Sequence, residues 1–261
     1  MTSQASGTRV IKVGGRPQGD PALVRALADA WRAAPNGVVI VHGGGDEIGA
    51  LQRLYGAESR FVGGRRVTSV LDLEIIRMAL SGSANKRLVA ALVSAGVPAV
   101  GLSGEDAGLL CAAPLDVNRF GWAGTPTRVD TTLLRVLLQG GYVPVLSPVS
   151  RGDDSAGSAT LNVNGDDAAA AIAAALGAAE LLLVSDVEGV RVNGVTVPQL
   201  DDAEARALVT SGVAAGGMGA KLESALSALD GGVERVRISD IAAIGSPGRG
   251  TSLTRVGSVC T

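Results

Sequence analysis

Aromatic residues are scarce in this chain of 261 residues. Two Trp, two Tyr and two Phe make up 2% of it, although 46% is hydrophobic. A core without rings must be built from Ala, Val, Leu and Ile packed between helices and strands. The two cysteines, Cys111 and Cys260, are too few for a disulfide scaffold and lack metal-ligand spacing. A single histidine, His42, rules out a His-based metal site or a two-His mechanism. No apolar run is long enough to span a bilayer, and residues 1–7 lack the apolar segment of a signal peptide. A net charge of −2 gives no basic surface for nucleic acid or an anionic membrane. These absences point to a cytoplasmic globular protein. The phosphate-loop pattern G-x-x-x-x-G-K-[ST] and the nucleophile elbow G-x-S-x-G are also missing. Lysine occurs three times, as Lys12, Lys86 and Lys221, against abundant arginine.

What the chain has in excess is glycine, 37 residues without a Gly-X-Y period. The order of elements is read from hydrophobic period and turn residues. Residues 8–13 form a strand ending at Gly14-Gly15. Asp20-Pro21 caps a helix to about residue 34. Val38-Val39-Ile40-Val41 is a buried strand, and His42-Gly43-Gly44-Gly45 leads from it into a second helix. This strand–glycine turn–helix repetition implies a parallel sheet with ligands at the C-terminal strand ends. A hairpin over 60–68 follows, then one long helix over 71–93 dented at Ser81-Gly82-Ser83. Further strands fall at 98–102, 143–146, 180–184 and 236–239, with hairpins over 104–129 and 190–197. Pro144 marks a strand end. Residues 151–158 read as a flexible loop, and 250–255 as an edge strand. Helices span 130–139, 164–176, 201–211 and 218–230. Residues 1–177 make a first lobe and 178–261 a second, with the seam at Gly177.

The Gly43–Gly45 turn has two readings: a plain tight turn, or an anion site where φ > 0 and close backbone approach meet a helix N-terminus. Lys12 lies inside the first strand, where a charge needs a partner or a ligand. Lys221 stands near a helix start, which is unfavourable without an anion nearby. Both read as phosphate partners or as snorkelling side chains, whereas Lys86 reads as structural. Asp166 is either a helix cap or the residue between the two lysines, and Asp186 either faces a nucleotide or caps a turn.

Seven segments in order carry a family resemblance: Lys12-Val13-Gly14-Gly15, His42-Gly43-Gly44-Gly45, Gly64-Arg65-Arg66-Val67-Thr68, residues 79–86 ending in Asn85-Lys86, Asn162-Val163-Asn164-Gly165-Asp166, Ser185-Asp186-Val187-Glu188-Gly189-Val190 and Gly217-Met218-Gly219-Ala220-Lys221. With them the chain resembles the acetylglutamate kinases of the amino acid kinase family. The resemblance implies an α/β, three-layer αβα sandwich with a mainly parallel sheet and two lobes, the first binding the acyl amino acid and mediating dimerisation, the second binding ATP. It implies Mg²⁺-dependent phosphoryl transfer from ATP to the side-chain carboxylate of N-acetyl-L-glutamate in arginine biosynthesis. Lys12 and Lys221 would neutralise the moving phosphoryl group, Asp166 would orient both, and N–H groups of Gly14, Gly15 and Gly44 would hold its oxygens. Gly44, Gly45, Arg66 and Asn162 would bind the acyl amino acid. Asp186, Val187, Glu188, Gly189, Val190, Arg191, Val213, Ala214 and Ala215 would line the nucleotide site. Mg²⁺ would ride on the phosphates, so no protein metal cage is expected, and an ionised acceptor needs no general base. His42 would shape the turn without transferring a proton.

Three departures from the family pattern stand out. Arg65 replaces an apolar residue, Gly165 an alanine, and Gly219-Ala220 trims bulk before Lys221. The short segment ahead of the first strand lacks the helix of arginine-inhibited hexameric relatives, which implies an arginine-insensitive homodimer with 71–93 at its interface. Two alternatives remain: a kinase acting on aminoadipate or glutamate carried by an acidic protein, which Arg60, Arg65 and Arg66 would suit, and a non-catalytic ligand-sensing domain, which need not keep Lys12, Asp166 and Lys221 together.

Overall fold

The structure, a computed structural model, describes residues 7–157 and 159–256. The expectations placed on residues 1–6, on Ser158 and on Cys260 lie outside the described residues. The chain runs β1 (Arg9–Val13), α1 (Pro21–Ala33), β2 (Val38–His42), α2 (Gly45–Leu54), β3 (Arg60–Val62), β4 (Arg65–Val67), α3 (Val70–Ile76), α4 (Asn85–Ser94), β5 (Ala99–Ser103), β6 (Leu110–Pro114), α5 (Val117–Phe120), β7 (Ala123–Val129), α6 (Thr132–Gln139) and β8 (Val143–Ser147). It continues through β9 (Val149–Gly152), β10 (Thr160–Val163), α7 (Gly165–Leu176), β11 (Glu180–Val184), β12 (Arg191–Val192), β13 (Val195–Thr196), β14 (Gln199–Asp201), α8 (Asp202–Thr210), α9 (Gly216–Asp230), β15 (Arg235–Ser239) and β16 (Thr251–Thr254).

Eight strands form one sheet in the order β14-β16-β15-β11-β1-β2-β8-β5. All neighbours are parallel except β15 and β16. Side chains alternate across the strands, so the sheet feeds two cores. Val10, Val39 and Leu183 pack under α6, α7 and α9. Ile11, Val13 and Ile40 pack under α1 and α4 on the other face. The result is three layers. Gly177 closes α7 in the left-handed conformation (φ 64°), and β11 then enters the same sheet between β1 and β15.

Four local expectations change. Residues 250–255 do not make an edge strand: β14, unforeseen in the sequence, covers β16 and takes the edge itself. Pro144 is the second residue of a penultimate strand, and β8 pairs with β2 only from Val145 onward, so the missing N–H breaks no bond on that side. The segment 151–158 begins in β9, which joins β6, β7 and β10 in a small closed barrel. The dented helix is α3 and α4 joined by eight residues, Arg77–Ala84, of wider π-helical turns. The small residues Ser81-Gly82-Ser83 fall in that stretch, and Leu80 there presses on the Gly44 turn.

Candidate active site

The two-residue period of β1 puts Lys12 on the same face as Val10, over the start of α7. There the Lys12 Nζ lies 2.7 Å from Asp166 Oδ1. Asp166 is the second residue of α7, and its N–H donates to the capping Asn164 side chain at 2.8 Å. Its other oxygen accepts from Lys221 Nζ at 3.0 Å. All three residues are buried. Burial by itself raises the pKa of Asp166, but the two ammonium groups reverse this and hold it well below the usual carboxylate range. Burial lowers the Lys12 pKa, against the opposing pull of Asp166. Two cations against one anion leave a positive charge in a sheltered place, a setting that calls for an anionic ligand.

That array stands between two cavities. One, of about 260 Å³, is lined by Lys12, Gly15, Gly43, Gly44, Gly45, Arg66, Asn162 and Asp166. The other, of about 390 Å³, is lined by Ser185, Asp186, Val187, Gly217, Met218 and Lys221. Gly64, Asn164 and Asp166 border both. An added Cβ on Gly165 would come 3.2 Å from Lys12 Cε, and one on Gly219 would come 2.8 Å from the Ala214 carbonyl. Gly165 thus leaves room for the Lys12 stem, and Gly219 for the Ala214 carbonyl.

The glycine turns work by close approach. Gly44 is outside the left-handed region (φ 161°), so the φ > 0 expected of the Gly43–Gly45 turn is not what it supplies. A Cβ on Gly15 would meet Gly45 N at 2.9 Å, and one on Gly44 would meet Leu80 at 2.6 Å. The N–H of Gly14 donates to Val184 O at 3.1 Å, which corrects its expected role as a free donor.

Neighbouring arginines on β4 both border the first cavity but take different partners. Arg66 stacks over Phe61, 4.6 Å from the ring centroid, and donates to Gln52 Oε1 at 3.0 Å and to Ser59. Its partners are neutral, and it lines the first cavity. Arg65 is ion-paired with Asp167 and lies 3.8 Å from Glu223. Asn162 donates to Thr68 Oγ1 at 3.0 Å and also lines the first cavity.

Of the residues expected around a nucleotide, Asp186 and Val187 line the second cavity. Val190 is instead a core residue whose N–H donates to Thr251 Oγ1, and Gly189 packs against Thr196 and Thr251. Glu188 pairs with Arg249 at the surface, and Arg191 is exposed on β12. Val213 and Ala215 are exposed and Ala214 is buried at the start of α9. Sequence reasoning missed Gln18, whose side chain reaches both glycine turns, and the buried pair of His42 and Asn85. Nothing local to Gln18 signals this, because its main partner is Gly43.

The fold and site define a mainly parallel α/β sandwich with two lysines clamped on one carboxylate between two adjoining cavities. The family model described as the amino acid kinase family matches residues 7–240, and the chain belongs to that family. Acetylglutamate kinase of Roseiflexus castenholzii is 44% identical over 236 residues, covering 90% of each chain. Acetylglutamate kinase of Geobacillus kaustophilus is 43% identical over 233 residues, covering 88% of this chain and 89% of its own. A protein of Streptococcus mutans UA159 with a known crystal structure superposes with a TM-score of 0.84 at 28% identity, over 95% of this chain and 98% of that one.

Proposed function

We infer that the chain is an ATP-dependent kinase that phosphorylates the side-chain carboxylate of N-acetyl-L-glutamate in arginine biosynthesis. The observation that carries this reading is Asp166, buried between Lys12 and Lys221 where two cavities meet. The names of relatives at 43–44% identity supply the acceptor. A carboxylate oxygen attacks the γ-phosphorus. The new O–P bond forms as the bond to the β,γ-bridging oxygen breaks, and ADP departs with that electron pair. No proton moves, because the acceptor is already ionised at neutral pH.

Such a reaction needs positioning and charge neutralisation. Lys12, on the acceptor side, meets the phosphoryl group in transfer. Lys221, on the nucleotide side, meets the oxygens of the leaving ADP, and Asp166 keeps both in place. The N–H groups of Gly15 and Gly44 hold the equatorial oxygens. Arg66 pairs with the α-carboxylate in a bidentate manner, while Gly45 and Asn162 contact the acyl amino acid. Asp186 and Val187 face the nucleotide. Mg²⁺ bound with the ATP phosphates would supply further charge neutralisation. Asp166 itself is engaged by the two lysines.

The acidic-carrier alternative draws on Arg65, and Arg65 is already neutralised by Asp167 and Glu223. Residues 1–177 form the acceptor lobe and 178–261 the nucleotide lobe. The protein works as a cytoplasmic homodimer through the face spanning α3 and α4, where Val70, Leu71 and Met78 are exposed. Among the described residues no helix is long and apolar enough to cross a membrane. The deciding experiment traps the acyl phosphate with hydroxylamine. Hydroxamate forms from ATP, Mg²⁺ and N-acetyl-L-glutamate, and its absence with the wild-type protein refutes the reading.

A further inference from the structure

Gln18 lies in the short helical turn Arg16–Gly19 that follows the first glycine turn. Its side-chain amide nitrogen is 2.7 Å from the Gly43 carbonyl and 3.3 Å from the Gly14 carbonyl. Both partners are acceptors, which fixes the contacting atom as the nitrogen. One amide group thus holds peptide units at the ends of two neighbouring strands.

The consequence follows from peptide planarity. In a trans peptide the N–H points opposite to the C=O. The Gly14 carbonyl shares its peptide with the N–H of Gly15, and the Gly43 carbonyl shares its peptide with the N–H of Gly44. With both carbonyls turned toward Gln18, both N–H groups point away from it. The first cavity has Gly15, Gly43, Gly44 and Gly45 in its wall, and Gln18 is not among its lining residues.

A second donor braces the same carbonyl. His42 Nδ1 is 2.8 Å from Gly43 O. The ring's other nitrogen, Nε2, is 3.0 Å from Asn85 Nδ2, an atom also 2.9 Å from the Val145 carbonyl and so identified as a nitrogen. Nε2 therefore accepts, and Nδ1 carries the proton and donates to Gly43. Consecutive glycines have no Cβ to restrain these peptides, so the turn's orientation must come from outside it. The carbonyl bonds also polarise each peptide and strengthen its N–H as a donor.

We propose that Gln18 is a positioning residue for phosphoryl transfer: by holding the carbonyls of Gly14 and Gly43, with His42 bracing the second, it aims the N–H groups of Gly15 and Gly44 at the transferring phosphoryl group. This rests on the kinase reading above. Gln18 itself touches no reacting atom.

The test uses Gln18→Met, which keeps the length and removes the donor, and Gln18→Glu, which places oxygen against both carbonyls. Wild-type hydroxamate formation is measured first, and its absence sinks the kinase reading alone. With turnover established, both variants lose kcat by about 10- to 100-fold, less than the 10²–10³ of deleting one oxyanion donor. Their KM values for ATP and acceptor stay within about 3-fold, as expected for an interaction realised in the transition state. Affinity for MgADP–aluminium fluoride falls in step with kcat while ADP affinity holds. Independently of turnover, the amide ¹H–¹⁵N signals of Gly15 and Gly44 move in the Met variant and that of Gly177 does not. Unchanged Gly15 and Gly44 signals, or a loss confined to KM, overturn the proposal. If the Glu variant fails to fold, the neutral Met variant carries the test.

Discussion

Arg65 is ion-paired with Asp167 near the start of α7, and this contact separates it from its neighbour Arg66. One β4 arginine is paired with carboxylates on α7 and α9, while the other, with neutral partners, is the one proposed to meet the acceptor. Replacing Arg66 with Ala is expected to raise the acceptor KM about 10- to 100-fold, the loss of charge-assisted hydrogen bonds of about 1.5–3 kcal/mol. Lys at this position recovers little of it, since a bidentate fork is lost. Arg65→Ala should leave that KM within about 3-fold and cost about 1 kcal/mol of stability, the scale of a partly exposed pair. Steady-state kinetics and thermal melts of both variants decide it; equal KM effects would refute the division of roles.

Replacing Asp166 with Asn leaves two buried ammonium groups facing each other. Stability drops by about 3–5 kcal/mol, the cost of breaking a buried pair from one side. Lys12 also loses the charge that opposes the effect of burial on its pKa. The basic limb of the pH–kcat/KM profile therefore moves to lower pH. A profile unchanged in position, with only its height reduced, contradicts the assigned coupling.

The pKa of His42 is held down at about 4 by burial, with Lys12 and Lys86 adding to the effect against the bond to Gly43. In the unfolded chain it returns to about 6.5. Between these values the unfolded state binds a proton that the folded state refuses, so stability rises with pH across that window and falls as pH drops from 6.5 to 4. The full effect is about 3 kcal/mol. Urea unfolding at pH 7, 5.5 and 4.5 measures it against His42→Asn, in which this component of the slope should vanish.

Gly219 sits where a Cβ would press on the Ala214 carbonyl at 2.8 Å, while Gly217 faces open space. Gly219→Ala is expected to destabilise by about 1–3 kcal/mol through overpacking and to lower kcat by displacing the turn that carries Lys221. Gly217→Ala should be neutral or slightly stabilising, because helix propensity favours Ala. Melting temperatures of the pair test the contact.

Met78 is 45% exposed beside Leu71 at 46%. Light scattering is expected to give a dimer for the wild-type protein and a monomer for Met78→Asp in the proposed dimer face. A variant that stays dimeric places the interface elsewhere.

Much of this protein was legible in its sequence because the signals are local. The first strand held Lys12, Asp20-Pro21 opened α1, and the helix start near Asp166 was visible, although its cap is Asn164 rather than Asp166. Asn193-Gly194 marked the β12–β13 turn, and both residues take positive φ (52° and 82°). Other features left no local trace. Gln18 looks like an ordinary polar residue until β1 and β2 pair and bring Gly43 beside it. Arg65 reads as free charge for an acidic partner until α7 supplies Asp167. The edge of the sheet passes from β16 to β14 because a three-residue strand carries too little periodicity to be seen.

The sequence by itself determined most of the element types, the parallel sheet and the charged residues that matter, since hydrophobic period, capping and glycine placement act within a few residues. Only the tertiary structure decided which charges neutralise one another. Coulomb energy and desolvation depend on distance and burial, and both are set when strands and helices far apart in the chain close around one site. Two lysines and a carboxylate became a buried triad, one arginine was taken up and its neighbour left available, and two peptide planes were turned by a glutamine from another turn.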